Sequence, residues 1–284
     1  MRTFVFTCLL LLGMTTFAQD ANFHIYLCLG QSNMEGNAKV EEQDTVAVDS
    51  RFQVLAAVDC PNLGRTKGNW YKAVPPLARC YTGLTPGDYF GRAMVANLPS
   101  NVRVGIINVA VGGCRIELFD KDNYQFYVET SPDWLKNMVK EYGGNPYARL
   151  VEMAKLAQKD GVIKGILLHQ GESNTNDKDW PLKVKGVYDN LLNDLGLSAA
   201  NVPLLAGEVV HADQNGVCAS MNTIIDSLPQ VIPTAHVISS AGCPAAFDNL
   251  HFTAEGYRML GARYAAKMLS ILGYGDWTSA QNMK

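Results

Sequence analysis

The sequence predicts an α/β fold: a three-layer α/β/α sandwich around a central, mostly parallel sheet of five strands. Three observations carry this prediction. Apolar runs of strand length recur along the chain and alternate with amphipathic segments of helical length. The runs are apolar almost without interruption, the pattern of parallel strands covered on both faces. No internal repeat or low-complexity linker separates them, so the 284-residue chain is expected to form one domain.

The first residues stand apart from that domain. MRTFVFTCLLLLGMTTFAQD has an early Arg2, an apolar stretch from Phe4 to about Met14, and a small-residue exit at Thr16-Phe17-Ala18. That is the anatomy of a secretory signal peptide cleaved near Ala18. The apolar stretch is shorter than the roughly 20 residues that span a bilayer. Residues 1–18 are read as the signal peptide and 19–284 as a single domain, secreted or periplasmic, with no membrane insertion of the mature chain.

The expected strands are His24–Leu29, Val102–Val109, Val162–His169, Pro203–Val210 and Ala235–Ser239. Helical patterns lie around Asp88–Asn97, Pro146–Lys159, Trp180–Leu195, Cys218–Leu228 and Thr253–Leu272. Residues 38–87 are poor in periodicity and rich in turns, an excursion of the kind that shapes a binding site. Cys60 and Cys80 both fall in it, and export permits a bridge between them. Cys28, inside a strand, reads as a small buried hydrophobe. No Cys/His spacing matches a zinc site, so no metal is expected from it. A formal net charge of −3 without a basic run argues against a nucleic-acid partner.

In open α/β sheets, ligands bind beyond the carboxyl ends of the strands. Four polar clusters follow strand ends or precede the last helix. Gly30-Gln31-Ser32-Asn33-Met34 places a hydroxyl where nearby backbone N–H groups could meet a developing negative charge, although a turn or helix cap is the commoner role of such a serine taken alone. Val109-Ala110-Val111-Gly112-Gly113 allows close approach of backbone to a ligand. His169-Gln170-Gly171-Glu172-Ser173-Asn174 concentrates hydrogen-bonding groups at the third exit. Asp248-Asn249-Leu250-His251 spaces a carboxylate to reach its own histidine's Nδ1, the base-plus-orienter half of a serine-hydrolase site. Nucleophile, donors and base thus fall where one site would need them.

GQSNMEG, AVGG, HQGES and DNLH-FTAEGY resemble the blocks of the SGNH hydrolase superfamily, which has a flavodoxin-like sandwich. More narrowly they resemble the carbohydrate esterase family 6 acetylxylan esterases and the related sialate O-acetylesterase domain. The likeness runs from His24 to about Tyr264. It implies Ser32 as nucleophile and His251 as general base, with Asp248 as the acid and Glu172 as the alternative or supporting acid. The oxyanion hole is implied at Ser32, at Gly112 or Gly113, and at Gln170, a position held by asparagine in other branches. The implied reaction is removal of O-acetyl groups from an acetylated polysaccharide or oligosaccharide, acetylxylan first, through an acetyl-serine and without a cofactor. A sialate ester and a non-catalytic sugar-binding role are the alternatives. Aromatic faces suit pyranose rings, so Trp70, Tyr71 and Trp180 are candidate substrate contacts, with Arg115 for an anionic sugar.

Overall fold

Strands and helices alternate as expected, on a wider sheet than the sequence suggests. The computed structural model describes residues 19–275; the signal-peptide reading of residues 1–18 lies outside them. The strands are β1 (Asp20–Gly30), β2 (Phe52–Leu55), β3 (Trp70–Lys72), β4 (Arg103–Ala110), β5 (Gly161–His169), β6 (Leu204–Gly207) and β7 (Ala235–Ile238). They form one seven-stranded sheet in the order β3-β2-β4-β1-β5-β6-β7. Neighbours are parallel except β2 and β3. The two strands beyond the expected five come from the 38–87 excursion. FQVL and WYK are too short to carry a readable period.

The helices are α1 (Ser32–Glu35), α2 (Glu42–Thr45), α3 (Pro86–Asn97), α4 (Tyr124–Thr130), α5 (Asp133–Glu141), α6 (Pro146–Ala157), α7 (Trp180–Leu195), α8 (Asn222–Ile225), α9 (Leu228–Val231) and α10 (Ala254–Ile271). Side-chain caps start several of them: Thr85 accepts from Gly87 N–H, Asn145 from Ala148 N–H and Thr253 from Gly256 N–H. The helix expected over Cys218–Leu228 is broken into a 3₁₀ turn, α8 and the start of α9. The Asn222 amide is bound to both backbone groups of Val209, and Pro229 opens a new helix instead of continuing one.

β1 shows why its run reads as continuously apolar. Phe23, Ile25, Leu27 and Leu29 face a core layer with Leu150 and Met153 of α6 and Leu191 of α7. Tyr26 and Cys28 face the opposite layer, with Phe90 and Met94 of α3 and Leu260 and Tyr264 of α10. Both faces are dry, and each large apolar side chain so buried contributes about 1.5–3 kcal/mol. The Cys60–Cys80 bridge forms, with Cα atoms 5.2 Å apart, and ties the excursion together. Among the described residues no helix is long and apolar enough to cross a membrane.

Register positions the site. Gly30 pairs with Ala110 of β4 on one side and His169 of β5 on the other, so three strands end level. From β1 the chain builds outward through β2–β4, then crosses back to β5–β7. The carboxyl end of β1 is therefore the switch point of the sheet.

Candidate active site

Ser32 is placed by the way β1 stops. Gly30 sits at φ +150°, where a Cβ would stand 2.0 Å from the His169 carbonyl oxygen, so only glycine fits there. The chain then folds at once into α1: Met34 and Glu35 N–H both donate to the Gln31 carbonyl, at 2.9 and 2.8 Å. Ser32 is the first residue of that turn and is 9% exposed. Its N–H, like other first-turn amides, has no helical acceptor.

His251 is placed by a tight loop before α10. Asn249 adopts the left-handed conformation at φ +53°, which asparagine tolerates. This turns Leu250 and His251 N–H onto Asp248 Oδ1, each at 3.0 Å. The other oxygen, Oδ2, lies 2.7 Å from His251 Nδ1, and His251 Nε2 lies 2.9 Å from Ser32 Oγ. A carboxylate only accepts, so the ring proton belongs on Nδ1 and Nε2 accepts from the hydroxyl. Partial burial pushes the Asp248 carboxyl up, but the hydrogen bonds from His251 and Leu250 outweigh it and hold the group below its usual range.

Glu172 does not touch the imidazole in the same way. Its Oε1 accepts from Asn33 Nδ2 at 2.5 Å and lies 3.8 Å from His169 Nε2. Burial raises the Glu172 carboxyl above its ordinary value, opposed by the Asn33 hydrogen bond and the nearby His251. His169 is fully buried, its ring edge-on to Phe252, and burial lowers it to about 3, so it is neutral. Of the two carboxylates, Asp248 is therefore the one bonded to His251.

Several expected contacts are corrected. Gln170 is 1% exposed and its amide is fully engaged. Nε2 donates toward Gln31 Oε1, Cys114 O and Asn174 Oδ1, at 3.1, 3.3 and 2.8 Å, while Oε1 accepts from Trp180 Nε1. A buried amide so satisfied fastens the strand ends together instead of facing a substrate. Gly112 N–H donates to Glu35 Oε1 at 3.1 Å, which leaves Gly113 as the glycine of the pair without an internal acceptor among the described residues. Trp180 is wholly buried in the core. Trp70 leans toward the opposite end of the sheet, its indole N–H on Asp160 Oδ2 and its ring 4.8 Å from Phe23. The Tyr71 hydroxyl accepts from Thr66 N–H on the outer strand. Arg115 does lie at the mouth, two residues past Gly113, but pairs with Glu117 and Asp177, both at 3.5 Å.

Two networks had no separate signal in the sequence. Asn33 Nδ2 also donates to the Leu250 carbonyl at 3.1 Å, and Tyr257 O–H donates to Asn33 Oδ1 at 2.6 Å. Asn33 and Tyr257 both fall inside the GQSNM and FTAEGY blocks, which is the only hint the chain offers. Beside α1, the Arg79 guanidinium bridges Glu35, at 2.5 Å, and Glu141 of α5. Burial raises the Glu35 carboxyl, and the Arg79 charge and Gly112 N–H pull it back.

The chain is similar to known proteins in sequence and in shape. The family profile of carbohydrate esterases described as sialic acid-specific acetylesterase matches residues 22–270. An Arabidopsis thaliana protein named "Probable carbohydrate esterase At4g34215" is 25% identical over 264 residues, covering 87% of this chain and 90% of its own length. The crystal structure of that plant protein superposes with a TM-score of 0.67 at 22% identity, over 88% of this chain and 99% of that one. A structure of NanS gives 0.64 at 14% identity, over 91% and 99%. XAC1771, a carbohydrate acetylesterase from Xanthomonas citri, gives 0.60 at 18% identity, over 87% of this chain and 56% of its own. At these identities the structures speak for the fold, an SGNH-hydrolase-like sandwich. The family match covers most of the chain, and the chain belongs to the sialic acid-specific acetylesterase family of carbohydrate esterases, among the carboxylic ester hydrolases.

Proposed function

We propose that this chain is a secreted serine esterase that removes O-acetyl groups from neutral polysaccharide, with acetylxylan as the first substrate to try. The observation that carries the chemistry is the continuous chain of hydrogen bonds from Asp248 through His251 to Ser32, at 2.7 and 2.9 Å. In this mechanism His251 Nε2 takes the Ser32 proton as Oγ attacks the acetyl carbonyl. The oxyanion forms against backbone N–H groups, with Ser32 and Gly113 as the free donors. His251 then protonates the departing sugar alcohol, and water it activates releases acetate from the acetyl-serine. Asp248 holds the ring in the tautomer both steps need and steadies the imidazolium. Secretion rests on the signal-peptide anatomy of residues 1–18 and agrees with the Cys60–Cys80 bridge.

The neutral-sugar reading rests on how the nearby arginines are used. Arg65 donates to the carbonyls of Pro76 and Val74, Arg79 lies between Glu35 and Glu141, and Arg115 lies between Glu117 and Asp177. Arg79 and Arg115 are already paired with carboxylates and the Arg65 guanidinium is engaged by two carbonyls, so a sugar carboxylate would have to displace existing partners. The family's own description favours a second reading, a sialate O-acetylesterase. That reading can draw on Lys39, which makes no ion pair among the described residues. It lines an open cavity of about 660 Å³ with Glu35, Arg79 and Tyr81, beside α1.

The two readings separate in one assay. Wild type, Ser32→Ala and Lys39→Ala are compared on acetylated xylan and on O-acetylated sialic acid. The neutral reading expects higher kcat/KM on xylan, no loss with Lys39→Ala, and a fall of at least about 10³ with Ser32→Ala. Preference for the sialic ester, lost with Lys39→Ala, would establish the second reading instead.

A further inference from the structure

Trp134 is an exposed aromatic next to the glycine pair that adjoins Ser32. It sits in the first turn of α5 and is 53% exposed. A Cβ at Gly113 would stand 2.6 Å from Trp134 Cη2 and 3.2 Å from Cζ3, so the indole lies directly against that glycine. A Cβ at the preceding residue, Gly112, would stand 3.8 Å from Ser32 Cβ. Consecutive Cα atoms are only about 3.8 Å apart. Ser32 and the indole therefore flank two consecutive glycines of one loop. Gly113 is at φ +68°, and any side chain there would collide with the indole.

The rest of the helix is anchored to the core and to the turn that carries Ser32. Leu135 and Val139 anchor α5 in the core. The Tyr142 hydroxyl donates to Ala110 O at the end of β4, at 3.2 Å. Glu141 is tied by Arg79 to Glu35 of α1, the turn that carries Ser32. On the other side of the loop, Ser173 Oγ donates to Gly113 O at 3.0 Å. The indole N–H has no acceptor among the described residues. A large aromatic kept half in water, with its helix pinned to the reacting turn and its donor free, has the form of a stacking surface with a polar edge.

We propose that Trp134 is the platform on which the pyranose ring carrying the scissile acetyl stacks, its indole N–H directed at a ring or hydroxyl oxygen. This rests on the carbohydrate-esterase reading above and adds the residue that selects a sugar over a ringless ester. Stacking of this kind supports about a tenfold preference.

The test compares wild type, Trp134→Ala and Trp134→Tyr on an acetylated xylo-oligosaccharide and on ethyl acetate. The readout is the ratio of the two kcat/KM values. Trp134→Ala should lower that ratio about tenfold, chiefly through KM for the oligosaccharide, and Trp134→Tyr should restore most of it. Calorimetric titration of the oligosaccharide into Ser32→Ala and into Ser32→Ala/Trp134→Ala should show the same weakening in Kd. If both esters are hydrolysed and neither the ratio nor the Kd moves, the platform is overturned and the esterase reading stands. If wild type hydrolyses neither ester, the esterase reading falls and takes the platform with it.

Discussion

Asn33 and Leu250 are joined side chain to backbone: the Asn33 amide donates to the Leu250 carbonyl at 3.1 Å, one residue before His251. The residue after Ser32 is thereby fastened to the residue before His251. Tyr257 and Glu172 complete the amide's partners at 2.6 and 2.5 Å, and Asn33 is wholly buried. Ser32–His251 alignment is thus set by a buried amide as well as by the loop that carries the histidine.

Asn33→Ala should therefore damage turnover more than binding. It leaves the Glu172 carboxyl and the Tyr257 hydroxyl without their partner in a dry site, which costs about 1–3 kcal/mol of stability. Loss of alignment should lower kcat about 10²-fold with KM little changed. Steady-state kinetics on an aryl acetate, with a denaturant melt alongside, checks both.

Asp248 and Glu172 should separate in the same assay. Asp248→Asn removes the acceptor for His251 Nδ1 and favours the wrong tautomer, with an expected loss of about 10²–10⁴ in kcat. Glu172→Gln keeps a carbonyl acceptor for Asn33 and should lose less than about tenfold. Because its bonds hold the Asp248 carboxyl low, the group stays ionised through the mildly acidic range. An equal or larger loss for Glu172→Gln would reverse the assignment of the acid.

Asp88 gives a pH signature in stability. It is buried at the start of α3, accepts from Thr85 N–H, and burial pushes its carboxyl up to about 8 from 3.8. Between those values the folded chain holds a proton that the unfolded chain has released, so this group's contribution falls as pH rises from about 4 to about 8. His169 acts with the opposite sign: lowered to about 3 from 6.5, it makes stability fall as pH drops below about 6.5. Asp88→Asn removes only the first effect. The difference in Tm between Asp88→Asn and wild type should grow from pH 4 to 8 and then level off. A constant difference would place the proton elsewhere.

The Cys60–Cys80 bridge adjoins Arg79, the residue that links Glu35 to Glu141. It closes a loop with a sequence separation of 20, for which chain-entropy reasoning gives about 3 kcal/mol. Cys60→Ala/Cys80→Ala should lose that much in a urea melt. Arg79→Ala leaves the buried Glu35 unpaired and should cost about 3–5 kcal/mol.

Strand ends were legible in the chain because apolar runs stop abruptly at Gly30, Ala110 and His169, and parallel register brings those stops level. Asp248 and His251 were legible because their contact is local, three residues apart. What the chain hid is tertiary. Gln170 reads as a free donor until Trp180, ten residues on, is found against its oxygen. Trp70 and Trp134 look alike in sequence, yet one packs at the far end of the sheet on Phe23 and the other against Gly113. Strand β2 exists because β4 offers an edge to pair with, and β3 because β2 then offers the next one, not because FQVL or WYK would form strands alone.

The central claim is that Ser32 Oγ forms the covalent bond to the acyl group. The most direct measurement is labelling of the intact protein with an alkyl aryl phosphonate, followed by peptide mapping. A single adduct on the peptide containing Ser32, absent in Ser32→Ala and much slowed in His251→Ala, is the expected result. An adduct on another residue, or full esterase activity in Ser32→Ala, would contradict it.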